Sequence, residues 1–281
     1  MILFTKRNLK IFLRDKSSVF MSLLAVFIVF GLHILFLGDV YTDGFSFIDN
    51  ARVLVDNNAM AGLLAIASVS PTMGIFGIMI SDKAGKISKD FFSSPIKSWK
   101  MAGGYVFSAF LIGYITSIIT FILGQFYIIS NGGSGLNLQS ILNILLLLLL
   151  ITFSNTAFVF FIVSLFQSMN AFSTASTVIG TLIGFLTGIY LPIGMLPTAV
   201  QWIVKVFPPS HGAVLLRQIM TKDVLVAVPN IFADDAKTNL GITLHFGTRP
   251  ITAAESILVL STCAVLFYGL AIYNISRKSK S

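Results

Sequence analysis

The sequence predicts an all-α integral membrane protein with six transmembrane helices, an N-terminal amphipathic interfacial helix and a re-entrant helical hairpin before the last span. Two features of composition carry this reading. Hydrophobic residues make up 56% of the 281 positions and charged residues only 11%, too little polar surface to wet a soluble body of that size. Between Met101 and Val204 there is no Asp, Glu, Lys or Arg, a tract that holds about three bilayer crossings at roughly 20 residues each. The net charge of +8 sits in blocks beside apolar runs and forms no stripe of its own, so it reads as juxtamembrane charge and not as a nucleic-acid surface. The lone Cys263 lies in an apolar run and has no second cysteine to pair with.

The elements follow in chain order as one transmembrane unit, 1–281. In 1–17, Lys6, Lys10 and Arg14 recur every four residues with Arg7 beside them, while Ile2, Leu9, Phe12 and Leu13 occupy the rest of the helix. Such a segment is expected to lie along the membrane with its cations toward anionic headgroups; a plain basic flank is the alternative. Apolar runs of crossing length stand at 18–37, 60–80, 101–129, 139–165, 172–191 and 253–273. The first lacks a small-residue cleavage site and precedes further spans, so it is expected to be a retained helix.

Within these runs, Ser70-Pro71 predicts a kink in the second span. Gly180, Gly184 and Gly188 stand four apart, as do Ala109, Gly113 and Ser117, and both sets predict close helix seams. His33 falls about four residues, roughly 6 Å, from the outer end of its span and is expected to be a structural histidine that reaches the interface or is hydrogen-bonded, with a substrate or proton role as the alternative. Gln125 and Asn155 are candidates for helix-helix hydrogen bonds or for a pathway lining. Thr252 and Glu255 fit a capping box that opens the last helix.

Six crossings put both termini on one side. The N-terminal segment (Lys6, Arg7, Lys10, Arg14, Lys16), the second connection (Lys83, Lys86, Lys89, Lys97, Lys100) and the tail (Arg277, Lys278, Lys280) hold thirteen of the nineteen Lys and Arg residues. The positive-inside rule makes those segments cytoplasmic in a cell membrane. Asp39, Asp43, Asp49 and Asp56 after the first span, and Asp223, Asp234 and Asp235 before the last, then read as extracellular loop residues.

Catalytic machinery is absent from the pattern. The nearest approach to a phosphate loop, Ala84-Gly85-Lys86-Ile87, lacks Ser or Thr after the lysine. His and Cys are scattered singly, so neither a metal nor a cofactor site is predicted. Two loops carry information instead. In 81–100, Phe91 and Phe92 stand among charges on a helix-sized segment that Pro95 stops, which suggests a docking knob for a soluble partner or a surface anchor. In 192–250, Pro192, Pro197 and Pro208-Pro209 bound two short apolar helices, one bearing Trp202. They are too short to cross and are expected to dip into the outer leaflet.

These loops resemble those of the ABC type 2 permeases, membrane subunits of ATP-binding-cassette exporters. In the cytosolic loop, Asp82, Gly85, Asp90, Phe91, Phe92, Pro95 and Ile96 match the family pattern in order, with Asp90 where Glu is commoner and Lys86 where Thr is common. Pro192, Pro197, Pro209 and Leu216-Arg217 are similar to the family's outer motif. The resemblance implies a dimer of such subunits, or a pair with a sister permease, on two cytosolic ATPase subunits that bind the ATP. It implies that Phe91 and Phe92 couple hydrolysis to the second and third spans. The largely uncharged middle favours an amphipathic or hydrophobic cargo such as a drug, a peptide antibiotic or a lipid-like toxin. Polysaccharide or lipid-linked glycan export is the alternative within the family. A secondary transporter, a rival class, should carry charged coupling residues deep in the membrane.

Overall fold

The computed structural model describes residues 1–45, 48, 50–85, 87, 98–226, 228, 230–247 and 249–278. Helix α1 (Ile2–Arg14) precedes α2 (Lys16–Leu32), which runs through a π-helical turn (His33–Leu37) into α3 (Gly38–Gly44). Helices α4 (Ala51–Ala67) and α5 (Ser70–Ala84) form one interrupted rod, followed by α6 (Ser98–Ser130), α7 (Leu138–Leu165) and α8 (Met169–Leu186). Two short helices, α9 (Thr198–Val206) and α10 (Pro208–Met220), lead to α11 (Lys222–Val226) and α12 (Asn230–Asn239). The two-residue strands β1 (His245–Phe246) and β2 (Arg249–Pro250) pair antiparallel before the last helix, α13 (Ala253–Lys278).

Among the described residues, six helical stretches are long and apolar enough to cross a bilayer: Lys16–Gly44, Ala51–Ala84, Lys100–Ser130, Leu138–Leu165, Met169–Leu186 and Ala253–Arg277. The end of the bundle that carries α1 and the Arg7–Asp82 pair is here called the terminal face; the other end is the distal face. The second span is the axis of the bundle, with 78% of its apolar window buried, against 17% and 22% for the first and fifth. Helix α5 is flanked by α6, α2 and α8, while α7 packs along α13.

Helix ends obey local chemistry. The side chains of Asp15, Asn137 and Ser168 accept the backbone N–H three residues on, at 3.1, 2.8 and 3.3 Å, and so open α2, α7 and α8. Thr252 and Glu255 make the reciprocal capping box at the start of α13, with bonds of 3.2 and 2.8 Å. The second span breaks at Ser68–Val69, and Pro71 sits in the first turn of α5, where its missing N–H costs little. Asn155 of α7 donates to Ser68 Oγ at 2.7 Å across this break, and Ser68 Oγ donates to Ala65 O.

Several expectations need correction. The second span begins at Ala51, not near residue 60, so Asp56 is not a loop residue: it lies on α4 and is 1% exposed. For His33 the structure favours the hydrogen-bonded alternative. The residue is 2% exposed, with Nε2 2.7 Å from Asp56 Oδ1. Each polar group satisfies the other, which is how the helix extends through a stretch that hydropathy alone assigns to a loop.

Helix α1 buries Phe4, Thr5, Asn8 and Phe12 against protein, whereas Ile2 and Leu13 remain exposed. Glycines provide the seats: a Cβ on Gly104 would stand 2.7 Å from the Phe4 ring, and one on Gly74 would stand 2.8 Å from Phe12. Gly188 is not on a helix face either. Helix α8 stops at Leu186, and Gly188, at φ +71°, is the left-handed residue of the turn that follows. Ile189 N–H returns to Gly184 O at 3.1 Å and Gly188 N–H to Phe185 O at 3.0 Å, a Schellman closure.

A lateral cleft as candidate functional site

A cleft of about 1000 Å³ opens along the bundle between α1, α2, α5 and α8. Its α8 wall is a stripe of small residues at helical spacing, Ser173, Ser176, Thr177, Gly180 and Thr181. Thr177 and Thr181 donate back to the carbonyls of Ser173 and Thr177, at 3.1 and 2.9 Å, which leaves their oxygen lone pairs available to accept. Ser176 Oγ is buried with no hydrogen-bond partner among the described residues. The facing wall mixes soft apolar side chains, Met21, Ala25 and Ile28 on α2 and Met73 and Ile78 on α5, with the hydroxyls of Ser18, Ser22, Ser70 and Ser81. Arg7, Asp15 and Asp82 also line the cleft. From Met169 to Ile183 the lining follows α8 for roughly 20 Å at 1.5 Å per residue, so the cleft covers much of the bilayer depth. Tyr190, folded back by the Schellman turn, lines its distal end.

Gly180 belongs to this wall and meets no helix of the chain as a seam, because nothing among the described residues lies within 4 Å of a Cβ placed there. Gly184 seats the Tyr190 ring, whose Cε2 would be 2.0 Å from an added Cβ. The second small-residue set meets other helices. A Cβ on Gly113 would stand 2.8 Å from Thr72, 3.0 Å from Thr152 and 3.1 Å from Ser68 O, and Ala109 and Ser117 are fully buried.

At the terminal end, Arg7 of α1 makes two bonds to Asp82 of α5, at 2.7 and 3.0 Å, and Tyr105 of α6 donates to the same carboxylate. The charge-assisted bond to Asp82 raises the pKa of the Arg7 guanidinium. Asp82, expected in the partner-facing loop pattern, is thus occupied within the chain, while Gly85 ends α5. Asp90, Phe91, Phe92, Pro95 and Ile96 lie outside the described residues.

On the distal side, Pro192 and Pro197 precede the 3₁₀ turn (Ile193–Met195) and α9, and Pro208 and Pro209 open α10. Helix α10 is wedged between α4, α7 and α13, and Ile151 packs within 3.0–3.3 Å of where a Gly212 side chain would stand. Helix α9 leaves Trp202, Ile203 and Val206 exposed, with Lys205 Nζ 4.8 Å from the Trp202 ring and 5.8 Å from Phe246. His211 faces the Lys205 carbonyl at 2.9 Å, so Nε2 carries the hydrogen, and Nδ1 accepts from Ser256 at 3.2 Å. Burial lowers the His211 pKa, and this pairing suits the neutral ring.

Arg217 is the residue whose weight the sequence concealed. It is fully buried and donates to Thr187 O at 2.6 Å, Gly188 O at 3.2 Å, and Asn58 O and Gly241 O at 3.4 Å. Burial pulls its pKa down to about 10, still far above neutral, so a cation clasps the carbonyl end of α8. The outer-motif match included Leu216-Arg217 but gave no sign of these partners. The hydroxyl stripe on α8, by contrast, is legible as Ser173, Ser176, Thr177 and Thr181 at spacings of three and four.

A bundle of six apolar helices long enough to cross a bilayer defines a multi-pass helical membrane protein. The family model for the ABC-2 type transporter matches residues 1–221, and the chain belongs to that family. The match ends after α10, ahead of the sixth span. No curated protein matches the chain.

Proposed function

We propose that this permease is the transmembrane subunit of an ATP-binding-cassette exporter, driven by separate cytosolic ATPase subunits, and that it moves an amphipathic or hydrophobic cargo outward through the cleft. The observation that supports the cargo class is the lining itself. Hydroxyls on α8 face methionines and aliphatic side chains interleaved with serines on α2 and α5, and Arg7 and Asp82 line the terminal end, which suits a molecule with a polar head and an apolar body. The first and fifth spans, each largely uncovered by the rest of the chain, flank the cleft on either side. A second permease subunit, identical or a sister, fits that uncovered side, and the bilayer surrounds the remainder.

In this reading the basic segments face the cytosol of the cell that bears the protein, both termini included, and the ATPase engages the loop between α5 and α6. The test has two arms. Wild-type protein should pull down a cytosolic ATPase, and deletion of residues 88–96 should abolish that capture; capture unaffected by the deletion would remove the loop from the interface. In reconstituted vesicles with that ATPase, Ser176→Phe should fill the cleft and lower export of an amphiphilic dye without changing ATPase capture. Undiminished export would move the path elsewhere.

A further inference from the structure

Outside the cleft, a cluster of charged side chains lies toward the distal ends of α2, α4 and α6. His33 Nε2 is 2.7 Å from Asp56 Oδ1, with both side chains almost wholly buried. Since a carboxylate only accepts, Nε2 carries the hydrogen. One turn earlier on α4, Arg52 Nε reaches both Asp56 oxygens at 3.2 Å, while its Nη2 donates to the Tyr127 hydroxyl at 2.9 Å and its Nη1 pairs with Asp39. The Tyr127 ring stands steeply inclined to His33, with centroids 6.3 Å apart.

The backbone is shaped around these groups. The π-helical turn begins at His33, and such turns recur at functional positions in otherwise regular helices. Gly38 follows it: a Cβ there would stand 2.9 Å from Arg52 Nη2 and from His33 O, so a side chain at this position would displace the guanidinium.

The chain of contacts does not stop at Arg52. Its partner Asp39 sits on α3, and two residues on, the Tyr41 hydroxyl donates to the backbone oxygen of Tyr190. Tyr190 lines the distal end of the cleft with its ring on Gly184, and Arg217 holds the preceding turn from the other side. The charged cluster is therefore joined through α3 to the distal end of the path.

We propose that His33, Arg52 and Asp56 are positioning residues for transport: they fix α3 so that Tyr41 holds Tyr190 across the distal end of the cleft. None of the three lines the cleft, so their effect on cargo passes through Tyr190. The inference rests on the cleft being the path.

The test reads access to the cleft without cargo or nucleotide. Cys263→Ser gives a cysteine-free background, and Thr181→Cys places a thiol on the cleft wall one turn before Gly184. Its rate of reaction with a charged, membrane-impermeant maleimide is measured in right-side-out and inside-out vesicles, so that one of the two presents the distal face. Asp56→Asn, Arg52→Gln and Tyr41→Phe should each raise the distal rate about 5-fold or more, the lower end of a typical coupling between sites. His33→Gln, which keeps an N–H donor toward Asp56, should stay within about twofold of the parent. A purely structural role would lower the yield of folded protein without raising the rate. Tyr41→Phe removes one oxygen only, so it keeps the test decisive if a charge variant fails to fold, and a rate equal to the parent's in that variant overturns the proposal. Cluster-dependent labelling in a protein that exports nothing would refute the transport reading and leave the positioning role standing.

Discussion

At the scale of single residues, this protein spends its few buried charges on geometry. Arg217 reaches four carbonyls from three separate parts of the chain, so truncating it leaves oxygens stranded where water does not reach. Arg217→Ala should cost about 2–4 kcal/mol, read as a lower midpoint of thermal unfolding in detergent; an unchanged midpoint would mean that those carbonyls find other donors. Gly184 is a second decisive position. Gly184→Ala brings a methyl to 2.0 Å from the Tyr190 ring, so the ring must leave the α8 surface. A structure of the variant should show Tyr190 parted from Phe185, whose ring centroid lies 5.1 Å away in the parent, and a cleft of altered distal shape. Tyr190 unmoved in that structure would contradict this. The sequence displays Gly184 as one of three evenly spaced glycines, but it does not show that the three act differently. Gly180 lines a wall, Gly184 seats a ring and Gly188 turns the chain.

At the scale of elements, the ties of α1 to the bundle include two aromatic seats and an ion pair. Phe4 packs on Gly104, Phe12 on Gly74, and Arg7 bonds Asp82, which also holds Tyr105. Asp82 is in the last turn of α5, at the start of the segment proposed to meet the ATPase, so the same carboxylate joins α1, α5 and α6 there. Arg7→Gln should weaken this joint by about 1–2 kcal/mol, since Arg7 is partly exposed and its attraction is screened. Hydrogen exchange of α1 amides should then speed up by about tenfold with that of α7 unchanged, and an unaltered α1 rate would show that the aromatic seats suffice. Cation spacing made α1 legible as a helix with a charged side. It did not reveal which apolar residues meet protein, because Ile2 and Phe4 differ only in where glycines wait on neighbouring helices.

At the scale of the whole molecule, the first and fifth spans expose large apolar faces on either side of the cleft, the region proposed to meet a second permease subunit. If Phe91 and Phe92 transmit ATPase closure, replacing both by Ala should leave complex assembly detectable and hydrolysis measurable while export falls by an order of magnitude or more; full export would rule out that coupling. The orientation is checked independently. A lysine reagent that cannot enter cells should leave Lys89 unmodified in intact cells, and labelling there would invert the topology and place the basic loop outside.

Hydropathy and charge by themselves determined that the chain crosses a membrane, how many times and roughly where, because about 20 apolar residues per crossing is a property of local sequence and bilayer thickness. The same holds for the capping box at Thr252 and Glu255 and for the break near Pro71, where a missing N–H acts within a few residues. Only the tertiary structure decided the fate of Asp56, His33 and Arg217, since a polar group enters a bilayer-spanning helix when a partner far along the chain satisfies it. His33 and Asp56 are 23 residues apart, and Arg217 meets a carbonyl 159 positions away. The cleft belongs to the same category: its hydroxyl stripe is written in α8, but the space in front of it exists because α1, α2 and α5 stand back from that stripe.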